Sequence, residues 1–111
     1  MAIFSTHLLN SIDGTHASDV EIVIYKENNN NNVVFLEDKT DSSGRMLKEF
    51  ELTKEDCESD YEMIINSGKY FRNTSEIINS ISVKFKMKDP LKKYHIPLII
   101  SPNGYSIWWS K

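Results

Sequence analysis

The sequence predicts an all-β protein, an antiparallel β-sandwich of about eight short strands with one short helix. Three observations predict it. Strict alternation of apolar and polar residues runs through "ISVKFKMK". Runs rich in β-branched and aromatic residues recur along the chain, as in "EIVIYK" and "NVVFLE". Turn formers such as "DSSGR" and "SPNG" separate these runs. With 111 residues, 40% hydrophobic and 26% charged, the chain suits a single compact domain spanning residues 1–111.

Each element has its own reason. "AIFSTHLL" and "DYEMIIN" have strand composition. Between "EIVIYK" and "NVVFLE" lie five consecutive asparagines, Asn28 to Asn32, which tolerate left-handed backbone and are expected to form an enlarged hairpin loop. "DSSGR" is a tight turn that starts "MLKEFEL" at Arg45. Helix is expected only within residues 67–79, where Phe71, Ile77 and Ile78 could supply an apolar side. In "ISVKFKMK", Ile81, Val83, Phe85 and Met87 face one way and Ser82, Lys84, Lys86 and Lys88 the other.

The segment "KYHIPLIISPNGYSIWW" reads as a hairpin. Tyr94, Ile96, Leu98 and Ile100 share one face, and His95, Pro97 and Ile99 share the other, so both faces should be at least partly covered. Pro97 has no amide to give a ladder, which requires local irregularity or an unpartnered amide side there. Adjacent in a strand, Trp108 and Trp109 would point to opposite faces.

Composition excludes several functions. A net charge of −3 with scattered Lys and Arg gives no basis for binding nucleic acid. A single cysteine, Cys57, in acidic "EDCES" excludes an intrachain disulfide and a CxxC site, and its surroundings disfavour a thiolate. The amino terminus "MAIFSTHLLNS" lacks the pattern of a signal peptide, and no run reaches membrane-spanning length. A cytoplasmic protein without membrane contact is expected; the ending "WSK" is close to, but is not, the peroxisomal S-K-L address, and a peroxisomal site is the alternative. There is no phosphate loop, nucleophile elbow or HExxH pair, and His7, His16 and His95 are not at short metal-ligand spacing, so neither metal nor cofactor is expected. The remaining chemistry lies in polar groups on strands: His7, Arg45 and His95.

Three segments, in order, resemble the signatures of the transthyretin-related family, in particular its 5-hydroxyisourate hydrolase branch. They are "FSTHLLNSIDG" followed by Ala17, "TDSSGR", and "YHIPLIISPNGYS". The resemblance implies an eight-stranded transthyretin-like sandwich that assembles as a homotetramer around a central channel. His7, Arg45 and His95 would be the catalytic residues at its mouth. The implied reaction is hydrolytic ring opening of 5-hydroxyisourate, a small-molecule substrate, in urate degradation. Its chemistry would use the two histidines for water activation and proton transfer, with Arg45 orienting substrate and stabilising oxyanion charge.

The same resemblance makes His7, Arg45 and Trp108 substrate-binding and places Pro97, Ser106, Ser110 and Lys111 along the pocket. The family's usual carboxyl-terminal Tyr-Arg-Gly-Ser is replaced here by Trp108-Trp109-Ser110-Lys111, and its usual proline by His16. His16, in "DGTHAS", is read as a structural residue. Two other functions share the fold: a carrier of small aromatic ligands in the channel, and a scaffold without catalysis.

Overall fold

A computed structural model of the chain describes residues 1–72 and 77–110. Its strands are β1 (Ala2–Asn10), β2 (Glu21–Asn28), β3 (Asn31–Lys39), β4 (Arg45–Phe50), β5 (Asp60–Ile65), β6 (Ile81–Lys86), β7 (Lys93–Ser101) and β8 (Gly104–Ile107). Helix α1 (Lys54–Glu58) joins β4 to β5, and α2 (Ser67–Tyr70) follows β5. The strands form two four-stranded sheets, ordered β4-β1-β7-β8 and β3-β2-β5-β6. The expected sandwich of eight strands is what the chain forms.

Between the sheets lies an apolar core that follows the period-2 pattern. Phe4 and Leu8 of β1, Ile22 and Ile24 of β2, Tyr61, Met63 and Ile65 of β5, and Leu98 and Ile100 of β7 are almost wholly buried. Phe4 stacks on Phe85 across the two layers at 5.2 Å, and within its own layer Tyr61 lies 5.7 Å from Phe85 and 5.2 Å from Phe35. The Tyr61 hydroxyl, buried with its ring, donates to the Asp56 carbonyl at 2.7 Å, and burial pushes its ionisation upward.

Four expectations need correction. First, β1 and β7 run parallel, with Ser5 opposite His95 and His7 opposite Pro97, whereas the other paired strands are antiparallel. Hydrophobic alternation reports which face a residue takes but not strand direction.

Second, the asparagine tract makes no enlarged loop. Asn28 pairs with Asn31, and Asn29 and Asn30 alone turn the chain with φ of 49° and 70°. Positive φ at both central residues is what a two-residue hairpin turn matching strand twist requires, and asparagine accepts it readily.

Third, the described residues form two small helices. α2 falls within the expected segment, the rest of which includes residues 73–76, outside the described residues. α1 does not. Thr53 caps it: its Oγ1 accepts from Asp56 N at 3.1 Å while the Asp56 carboxylate accepts from Thr53 N at 3.0 Å. Asp56 also meets Lys26 Nζ at 2.8 Å, tying α1 to β2.

Fourth, β8 ends at Ile107, before both tryptophans. Pro97 explains the stop: its carbonyl accepts from Trp108 N at 3.4 Å, but it has no N–H to return.

Candidate active site

The outer face of the β4-β1-β7 sheet carries the polar residues. Because Phe4, Thr6 and Leu8 point into the core, Ser5 and His7 point out. By register, His7 lies between Arg45 of β4 and Pro97 of β7, and Ser5 between Leu47 and His95. Adjacent ladder positions thus bring the two histidines and the arginine together from segments far apart in the chain.

Arg45 owes its place to the turn before it. Asp41 Oδ1 accepts from Ser43 N at 2.8 Å and from Arg45 N at 3.0 Å, and Gly44 N donates to the Asp41 carbonyl at 2.9 Å. Gly44 closes this turn at φ +73°, where the Leu8 carbonyl lies 2.5 Å from the position a Cβ would take. Its own carbonyl accepts from Leu8 N at 2.8 Å, so the turn is pinned to β1 just beyond His7.

His95 is half-buried, and its Nδ1 lies 2.7 Å from the hydroxyl of Ser5, itself 6% exposed. Its main-chain carbonyl accepts from Ser110 N at 3.0 Å, which folds the carboxyl-terminal segment over this end of β7. A cavity of about 270 Å³ opens here, lined by Ser5, Thr6, Arg45, Met46, Leu47, Lys93, His95 and Ser110.

Burial is the largest influence on both histidines, and it lowers the pKa of each below 6.5. For His7 the Arg45 guanidinium and the neighbouring His16 and His95 rings act in the same direction, while the Ser43 main chain favours the charged ring. For His95, Lys93 and Arg45 also act downward, against the Ser5 main chain. Both imidazoles are therefore mostly neutral at pH 7, each able to accept a proton beside a fixed guanidinium.

The ladder sets His7, Arg45 and His95 near one another on one face; Arg45, His95 and Ser110 line the cavity, whereas His7 lies outside its lining. Pro97 is buried beside His7 in the ladder, and Ser106 is exposed on β8 opposite Ile99. Trp108 lines a different cavity of about 510 Å³, together with Trp109, along the β6 and β8 edges. Lys111 lies outside the described residues. Among the described residues no cluster of His, Cys, Asp or Glu is arranged to hold a metal. No helix among them is long and apolar enough to cross a membrane.

Sequence reasoning passed over Ser5 and read His16 as structural. Ser5 could have been found, since two residues before His7 on a strand means the same face. The contact of His16 with His7 could not, because its ring reaches His7 only through the loop that follows β1.

Comparison with known proteins gives the family and the fold. The family described as "HIUase/Transthyretin family" matches residues 4–109. A 5-hydroxyisourate hydrolase of Salmonella dublin is 31% identical over 108 residues, covering 96% of this chain and 79% of that protein. Three solved structures share the fold. Klebsiella pneumoniae 5-hydroxyisourate hydrolase superposes with a TM-score of 0.82 at 21% identity, covering all of both chains. Sea bream transthyretin in complex with thyroxine gives 0.82 at 17% identity, over 96% of this chain and 93% of that one. An (S)-allantoin synthase gives 0.81 at 22% identity over 99% of this chain, which spans only 44% of that longer protein. By the span of the family match, the chain belongs to the HIUase/Transthyretin family.

Proposed function

We propose that this protein is a 5-hydroxyisourate hydrolase, opening the ring of that urate-derived substrate by hydrolysis. The observation that carries the assignment is the juxtaposition of His7, Arg45 and His95 on one outer sheet face, with both imidazoles held toward the neutral form. In the reaction, water oxygen bonds to a ring carbonyl carbon while one histidine takes the water proton. The Arg45 guanidinium faces the oxyanion that develops, and collapse breaks the ring C–N bond as the proton passes to the leaving nitrogen. The Ser5 hydroxyl on Nδ1 orients the His95 ring for its share of this work.

The assignment includes a homotetramer and a cytoplasmic location. Apolar groups on the face bearing the site support assembly: Leu47 is 54% exposed and Ile99 36%. Just beyond β8, a strand at the sheet's edge, Trp108 and Trp109 add apolar surface, about half exposed. Sedimentation at micromolar concentration is expected to give a tetramer; a monomer would remove the shared channel. A free thiol at Cys57 accords with a reducing compartment.

The test is the decay of freshly generated 5-hydroxyisourate, followed by ultraviolet absorbance. Native protein should accelerate it, and His7→Ala, Arg45→Ala and His95→Ala should each lose about a hundredfold or more. No acceleration by folded protein would overturn the assignment. One observation favours another function: the cavity along β6 and β8 is lined by Phe85, Tyr94, Ile96, Ile107 and both tryptophans, and its size suits a small aromatic ligand. Saturable binding of such a ligand without turnover would support a carrier.

A further inference from the structure

His16 lies where the resemblance leads one to expect a proline, and its ring stacks beside His7 with centroids 5.2 Å apart. Its Nδ1 is 3.1 Å from His7 Nε2. The side chain is exposed, but its backbone is fixed. Ala17 N donates to the Leu8 carbonyl at 2.9 Å, Asn10 N donates to the Thr15 carbonyl at 2.8 Å, and His16 forms a β-bridge with Leu9. The bare Gly44 Cα admits this loop, since a Cβ there would lie 3.2 Å from His16 Cβ. Three segments therefore converge to hold the two rings together.

The bonding partners of His7 decide what such a contact does. The Ser43 main chain favours the charged form of the ring, as a carbonyl facing a ring N–H does. With Nε2 on His16, the nitrogen left for Ser43 is Nδ1. A neutral His7 that donates from Nδ1 carries its lone pair on Nε2, and the matching donor is His16 Nδ1–H.

We propose that His16 is a positioning residue for His7: it holds the ring with Nε2 as the basic nitrogen and shares one proton with it. This rests on the hydrolase assignment only for its consequence in catalysis, since the pairing itself is a property of the two rings. When His7 gains a proton at Nε2, the bond reverses, His7 Nε2–H donating to His16 Nδ1 once His16 carries its own proton on Nε2. The charged His7 then has an acceptor at both nitrogens. Adding a second proton to the pair places two cations in contact, so the pair takes up its protons in two separated steps.

Other charges face His7 from every side. Arg45 approaches from β4, His95 from β7, and Asp41 from the turn before β4. None of them makes a hydrogen bond to Nε2 among those formed by the described residues. Among the described residues His16 alone makes a hydrogen bond to that nitrogen and can share a proton with it.

The test uses the full chain, uniformly labelled with ¹⁵N, and the imidazole nitrogen shifts of His7 across pH 4 to 9. In native protein His7 should show the Nδ1–H tautomer at high pH and a titration in two steps. His16→Asn keeps an N–H donor near the Nδ1 position but cannot titrate; the tautomer should persist and the titration collapse to one step. His16→Ala should lose the tautomer preference as well. In the hydrolysis assay, Ala should cost about tenfold at pH 7.5 and Asn should restore most of it, as expected for one lost neutral hydrogen bond.

A single-step His7 titration in native protein, identical in the two variants, would overturn the proposal. So would equal activity loss in Ala and Asn with unchanged His7 shifts, which would mark His16 as merely structural. If native protein does not hydrolyse the substrate, the nitrogen shifts still decide whether the pair exists.

Discussion

Gly44→Ala tests how a backbone contact sets the site. Two glycines take nearly the same left-handed conformation, Gly14 at φ +75° and Gly44 at φ +73°, but in opposite surroundings. Around Gly14 there is nothing within 4 Å of an added Cβ, so Gly14→Ala bears only the conformational cost, about 1 kcal/mol. At Gly44 the new methyl would meet the Leu8 carbonyl at 2.5 Å and Ala17 N at 3.1 Å, both backbone atoms.

Neither neighbour can rotate away, so the turn must shift, at an additional cost of about 2 kcal/mol by analogy with overpacked cores. The total of about 3 kcal/mol corresponds to a fall in Tm of roughly 12 °C for a chain of this length, against about 4 °C for Gly14→Ala. Because the displaced turn carries Arg45 and abuts His16, hydrolysis well below the new Tm should also drop by about tenfold or more, whereas Gly14→Ala retains it. Thermal unfolding by circular dichroism with the absorbance assay decides. Equal Tm shifts for the two variants would refute the role given to the Leu8 carbonyl. A large Tm loss with full activity would refute the link from the turn to the site.

Three more outcomes are expected. Since His7 and His95 are held below 6.5 and act as neutral bases, kcat/KM should be flat from pH 7 to 8, with its acid-limb midpoint below pH 6.5. The same depressed values mean that the unfolded chain binds more protons, so stability should be full above pH 6.5 and decline as pH falls through the folded-state values. Acid titrations of rate and of Tm check both. Ser5→Ala removes the group 2.7 Å from His95 Nδ1 and should lower kcat about ten- to a hundredfold, with partial rescue by Ser5→Thr, in steady-state kinetics. Thr53→Ala removes the cap of α1, which contributes nothing to the cavity lining, and should cost about 1 kcal/mol in urea unfolding with kcat unchanged.

Much of the site was legible because strand periodicity assigns faces. Alternation in "KYHIPLIIS" put His95 and Pro97 opposite the core side, and both stand there in β7. What periodicity lacks is the ladder. Nothing local says that β1 lies parallel to β7, yet that pairing sets Ser5 beside His95. The asparagine tract hid a two-residue turn because identical residues carry no register signal. α1 was obscured by its polar sequence, though Thr53 and Asp56 hold the spacing of a capping pair. His16 depended on a loop folding back on β1, a contact that no periodic pattern encodes.

The hydrogen bond between Ser5 and His95 spans 90 residues of sequence. During synthesis β1 is made well before β7, and it lacks its central neighbour until β7 follows. Hydrophobic residues of β1 such as Phe4 and Leu8 must therefore wait, or be shielded, through most of synthesis. A fold dominated by such distant pairings closes slowly, because loop entropy must be overcome before the ladder repays it. Chemistry and completion are consequently linked: a chain that stops short of β7 has His7 beside β4 but lacks both His95 and the strand that completes the sheet around β1.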